Sequence, residues 1–113
     1  MRSIRVGTDK RGYRPGETLF ARVENLGTEP VRYRKPFAID KLVNGAWIRV
    51  GPGDEIWLRD VARLGAGQAG ECMAYRIPRG FGPGNYRVAK EVETVGSGGW
   101  VDLLRYGDFN IGG

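Results

Sequence analysis

The sequence has no histidine and a single cysteine, Cys72. An internal disulfide is therefore impossible, and the common zinc, copper and haem ligand sets cannot be assembled. The lack of histidine also removes the commonest general base and the usual partner of a serine or cysteine nucleophile. No apolar run is long enough to span a bilayer, and the first residues, Met1-Arg2-Ser3-Ile4-Arg5-Val6, lack the apolar segment of a secretory signal. A soluble chain without a membrane span is expected. It is cytoplasmic if Met1 is the native start, and an extracytoplasmic setting stays open if Met1 replaced a leader. Helical periodicity is absent as well, so the fold has to come from strands.

What is present fits that expectation. The chain has 113 residues, 41% of them hydrophobic. That suits one domain over residues 1–113 with one core, able to bury about two-thirds of the surface an unfolded chain exposes. Nineteen glycines and six prolines imply many turns and hence many short strands. A formal charge of +5 comes from 18 Lys and Arg against 13 Asp and Glu, mostly as arginine. The arginines are spread from Arg2 to Arg105 and interleaved with acids, as solvated strand faces require.

In Thr18 to Asn25, Leu19, Ala21 and Val23 share one face while Arg22 and Glu24 share the other, the alternation of a half-buried strand. Val31-Arg32-Tyr33 extends the chain after a turn. Phe37 to Val43 meets Ala46 to Val50 across Asn44-Gly45, which accepts the positive φ angles of a type I′ turn. Residues 51–60 form the least regular stretch. Glu71 to Ile77 alternates with Met73, Tyr75 and Ile77 on one face, and Asn85 to Thr94 places Tyr86, Val88 and Val92 together beside the odd Lys90. Gly96-Ser97-Gly98-Gly99 turns the chain into Trp100 to Leu104, and Asp108 to Ile111 ends the last strand. Turn signals at this spacing, with seven to nine strands and no disulfide, predict an all-β fold, a sandwich or a barrel. The expected core is Leu19, Ala21, Val23, Ile39, Trp47, Met73, Tyr75, Tyr86, Val88 and Leu103, with Trp100 also in alternating strand.

At Pro83-Gly84-Asn85-Tyr86-Arg87-Val88 a turn runs into a strand whose second residue is tyrosine, as in the tyrosine corner of immunoglobulin-like folds, and Val88 stands where antibody domains carry a disulfide cysteine. Together with Tyr13-Arg14-Pro15-Gly16-Glu17, Val23-Glu24-Asn25 before Glu29-Pro30-Val31, and Ile39 to Trp47, these segments resemble the bacterial immunoglobulin-like domains of secreted proteins and lipoproteins, mainly of Gram-positive bacteria. The resemblance spans residues 13–111 and implies an antiparallel immunoglobulin-like β-sandwich of seven to nine strands, held together without a disulfide. It implies a non-enzymatic extracytoplasmic interaction module or spacer, although the chain shows neither leader nor lipobox. It supplies no catalytic residues and no cofactor, and its partner would be another protein or a cell-envelope component.

Candidate chemistry is sparse. Gly65-Ala66-Gly67-Gln68-Ala69-Gly70 satisfies the G-x-G-x-x-G pattern of dinucleotide sites, but a strand follows it where such a site needs a helix, and an inter-strand loop is expected. Glu91 with Glu93, and Asp54 with Glu55, offer paired carboxylates without a pocket. The loop acids also lack the spacing of a calcium loop. Arg32, Arg34 and Lys35 around Tyr33, with Arg11 and Arg14, mix cations and aromatics as polyanion-binding surfaces do, and equally as a charge-protected edge strand does. Trp57 is either an exposed aromatic contact or a plug in the open end of the sandwich. The expected ligand or partner surface is thus Trp57, Tyr33, Arg32 and Arg34. No catalytic, cofactor or metal residues are expected. The alternative to the interaction module is a carbohydrate- or polyanion-binding module using this arginine and aromatic surface. Gly112-Gly113 reads as a frayed end.

Overall fold

The computed structural model describes residues 4–34, 37–51, 61–70, 73–96 and 98–112. Ten strands form among them: β1 (Ile4–Thr8), β2 (Gly12–Tyr13), β3 (Thr18–Asn25), β4 (Val31–Arg34), β5 (Ala38–Val43), β6 (Ala46–Gly51), β7 (Val61–Leu64), β8 (Met73–Arg76), β9 (Gly84–Gly96) and β10 (Gly99–Ile111). The expected seven to nine are exceeded by the two-residue β2 and by short strands cut from irregular sequence. Three strands form a small sheet in the order β1-β3-β8. The other seven form a large one, β2-β10-β9-β4-β7, with β5 on β9 and β6 on β5. Pairing is antiparallel except between β2 and β10, which run parallel.

The long strands explain this branching. β9 and β10 pair continuously from Gly84 with Ile111 to Gly96 with Gly99. The segments Trp100 to Leu104 and Asp108 to Ile111 are therefore one strand. β9 is long enough to carry β5 beside residues 86–89 and β4 beside residues 92–94. The β5–β6 hairpin turns at Asn44 (φ 49°) and Gly45 (φ 81°), the positive angles a type I′ turn demands.

The core lies between the sheets. Leu19, Ala21 and Val23 of β3 face Ile39 of β5 and Tyr86, Val88 and Val92 of β9, and all are buried. The ring of Tyr86 is stacked between Phe81 and Phe109, each centroid 5.6 Å away. Its Oη donates to the Gly82 carbonyl at 2.6 Å, the hydrogen bond that the tyrosine corner requires. Asn25, also buried, donates from Nδ2 to the carbonyls of Glu29, Leu64 and Gly65 and accepts the Gly27 N–H at Oδ1. One side chain thus satisfies backbone groups of two segments far apart in the chain, residues 27–29 and 64–65. Tyr13 adds an edge-on contact to Phe109, and its hydroxyl donates to the Asp9 carboxylate.

Three expectations about burial change. Trp47 and Trp100 are 37% and 38% exposed rather than core. Register decides this: Trp47 shares its face with Arg49, and Trp100 shares its face with Asp102, so both point away from the small sheet. Tyr33, expected at a surface, is 2% exposed, because its neighbours Val31 and Val92 direct that face of β4 inward. Tyr75 and Leu103 pack partly buried against the core as expected. The side chain of Met73, and Cys72 entirely, lie outside the described residues.

The two sheets approach closely where β1 meets β10. A Cβ at Gly107 would stand 2.6 Å from the Val6 carbonyl oxygen and 2.9 Å from Gly7 Cα, backbone atoms that cannot step aside. Only glycine admits this contact.

Candidate functional site

Along β9 the inward residues are Tyr86, Val88, Lys90, Val92 and Thr94, all buried. The alternate set, Arg87, Ala89, Glu91, Glu93 and Val95, therefore belongs to the outward face of the large sheet. Register carries that face across to β10, where Trp100, Asp102, Leu104 and Tyr106 stand opposite Val95, Glu93, Glu91 and Ala89. On the other side it reaches Arg32 of β4, Asp40 of β5, and Trp47 and Arg49 of β6. Leu104 and Tyr106 are 49% and 42% exposed, so four large apolar side chains, counting Trp47 and Trp100, are held half in water on one surface.

Two similar arrangements fix those rings. Arg32 donates from Nε and Nη2 to the two carboxylate oxygens of Glu93, at 3.1 and 3.2 Å, and its guanidinium lies 4.0 Å from the Trp100 ring centroid. Arg87 donates from Nε to Asp40 Oδ2 at 3.0 Å, and its guanidinium lies 4.3 Å from Trp47 and 3.8 Å from Tyr106. Arg49 donates to the remaining Asp40 oxygen at 2.8 Å. In each case a carboxylate orients an arginine, and the arginine holds an aromatic ring by the attraction of a cation for its negative face. Burial would raise the Asp40 carboxyl, but the hydrogen bonds and charges of Arg49 and Arg87 outweigh it and hold the group below its ordinary value.

Of the residues expected to form the surface, Arg32 lies on this face. Tyr33 is in the core. The side chain of Arg34 and all of residues 52–60, including Trp57, Asp54 and Glu55, lie outside the described residues. Glu91 and Glu93 share the face, but Glu93 is committed to Arg32. Among the described residues no group of three or more acids, cysteines or histidines could hold a metal ion. The glycine motif is a turn. Gly67 has a φ of 76°, and a Cβ at Gly70 would overlap the Tyr33 hydroxyl at 1.7 Å, so two of its glycines have local reasons unconnected with phosphate. Sequence reasoning passed over Trp47, Trp100, Tyr106 and Arg87 as surface residues. The signal was there in Trp47-x-Arg49 and Trp100-x-Asp102, where a charged residue two positions on marks the face as solvated.

No curated protein matches the chain. Among solved structures, it is similar to the sporulation control protein Spo0M of Bacillus subtilis, at 13% identity and a TM-score of 0.51. That match covers 99% of this chain and 49% of the other, so the chain spans about half its length and the likeness is one of fold. The ASH/PapD-like domain of human CEP192 (PapD-like domain 7) matches with a TM-score of 0.43 and 18% identity, over 95% of this chain and 84% of that one. The family described as the bacterial Ig-like domain matches residues 2–100. With the two-sheet strand architecture and the Tyr86 corner already in place, the chain belongs to the bacterial Ig-like domain family.

Proposed function

We propose that this domain is a non-enzymatic protein-interaction module that docks a partner protein on the outward face of its large sheet. The family is typically non-catalytic, and domains of this kind often mediate protein interactions. The observation that carries the reading is the set of Trp47, Trp100, Leu104 and Tyr106, half-exposed on one face with Arg32 and Arg87 among them. Tryptophan, tyrosine and arginine are the residues in which interface energy concentrates. Rings already held by guanidinium groups lose little further freedom when a partner covers them. Because both arginines are ion-paired within the domain, contact with the rings rather than neutralisation of a polyanion supplies the favourable term.

A photo-cross-linking residue at Leu104 and, separately, at Arg76, opposite Thr18 on the outer face of the small sheet, tests this. A discrete protein adduct from position 104 at physiological salt, absent from position 76, is the expected result. Adducts only with glycans or nucleic acids, fading as salt is raised, would favour the carbohydrate- or polyanion-binding module instead.

A further inference from the structure

The edge of β6 is open along Trp47, Ile48 and Arg49. Among the described residues this strand pairs with β5 alone, and every residue from Ala46 to Val50 is exposed. Val43 and Ala46 close a two-residue turn, so they form a hydrogen-bonded pair. Bonded and non-bonded pairs alternate along an antiparallel ladder. The backbone groups of Ala46 and Ile48 therefore turn toward β5, and those of Trp47 and Arg49 turn toward the open edge.

Edge strands normally carry a charge, a proline or a bulge that discourages pairing. Here the register shift falls beyond Arg49, between Ile39 and Asp40 of the neighbouring strand. The one charge on this stretch, Arg49, is compensated by Asp40 at 2.8 Å. Ile48, opposite Lys41 on the other face from Trp47, is 48% exposed. β7, at the far side of the sheet, offers only four residues and carries Arg63, while the outer side of β1 is met by β10 at Gly107.

We propose that a second copy of this chain pairs antiparallel with β6 about a two-fold axis at Ile48, joining two large sheets into one. The sequence of the edge selects both the occupant and the register. A two-fold interface needs a self-complementary strand. With Ile48 opposite its own copy, Trp47 of each chain faces Arg49 of the other. Their outward-turned N–H and C=O groups exchange hydrogen bonds, and each guanidinium meets an indole. The two isoleucines meet in the closer, non-bonded type of pair, where Cα atoms are about 4.5 Å apart. Shifting each strand so that Arg49 faces Arg49 sets like charges opposite each other. Shifting by a single residue turns every side chain to the wrong face.

Light scattering coupled to gel filtration over a wide range of loading concentrations reads this directly. The wild type is expected to rise to twice the 12.5 kDa chain mass. Ile48→Lys, which sets two ammonium groups opposite each other at an exposed position, is expected to stay at the single-chain mass with an unchanged circular dichroism spectrum. In a Cys72→Ser background, Ile48→Cys is expected to cross-link under mild oxidation, since Cα spacings of about 4.4 to 6.8 Å suit a disulfide. Trp47→Cys, opposite Arg49 rather than itself, is not. A wild type that remains monomeric throughout overturns the proposal and leaves the edge to an extended segment of some other protein. A dimer that survives Ile48→Lys, or that cross-links through Trp47→Cys and not through Ile48→Cys, overturns it too. Substitutions at Leu104 and Tyr106, on another strand and the outward face, leave the dimer intact, so this proposal and the docking of a partner protein fail or stand separately.

Discussion

Arg87 leans toward Tyr106, its diagonal neighbour on β10, with the guanidinium 3.8 Å from the ring centroid, while its direct partners in the ladder are Asp40 and Asp108. The hydrogen bond to Asp40 sets that direction. Three strands are thereby tied together on one face: β5 by the carboxylate, β9 by the arginine and β10 by the ring.

Asp40→Asn is expected to destabilise the domain by about 1 to 3 kcal/mol, the usual cost of removing one partner from a mostly buried charged hydrogen bond. Because the Asp40 carboxyl is held below its ordinary value of 3.8, the stability it contributes is complete above that pH and is lost as pH falls through the lower folded-state value. Urea titrations of wild type and Asp40→Asn at neutral pH and below pH 4 check both points. The gap between the two proteins is expected to close in acid.

Lys90 also makes stability rise with pH, in the alkaline range. Its ammonium group is buried with Tyr33 and Phe37, ring centroids 5.2 and 5.5 Å from Nζ, and burial pushes its pKa down from 10.5 to about 8. Between those values the unfolded chain holds more protons than the folded one, so stability rises with pH, by up to about 1.4 kcal/mol per unit. Burial and its bond to Asp9 push Tyr13 up to about 12, which makes stability fall above pH 10. The rise is therefore expected between about pH 8 and 10. Thermal melts across that range should show it in the wild type and lose it in Lys90→Met.

Gly107→Ala is expected to cost about 1 to 3 kcal/mol, the range for forcing extra volume into a packed interior. The reason is the Val6 carbonyl 2.6 Å from where the new methyl group would sit. Gly7→Ala is the matched comparison, because its Cβ would meet nothing within 4 Å, and it is expected to change stability by less than about 0.5 kcal/mol. Chemical denaturation of the two variants separates close approach from any general effect of glycine loss.

These features were unequally legible in the sequence. The Asn44-Gly45 turn, the alternation of β3 and the Tyr86 corner are local patterns, and the structure has each where it was expected. Gly107 was not, since nothing near it in the chain announces that β1 will cross there. Tyr33 lies on the inward face and Trp47 on the outward one, against expectation, because the parity of the flanking residues decides between core and surface. Val31-x-Tyr33 is an inward series and Trp47-x-Arg49 an outward one. The candidate face depends still more on pairing. Arg32 and Trp100, or Asp40 and Arg87, are far apart in sequence and meet only because β9 lies between β4 or β5 on one side and β10 on the other.

Retention of a partner protein by immobilised domain, compared between wild type and the double variant Leu104→Ser, Tyr106→Ala, tests the central claim most directly. Partner binding is expected to persist at physiological salt with the wild type and to fall at least about tenfold in the variant, whose two half-exposed side chains can be cut back without opening the core. A partner held equally well by the variant, or released from the wild type by salt alone, would contradict the outward face as the docking surface.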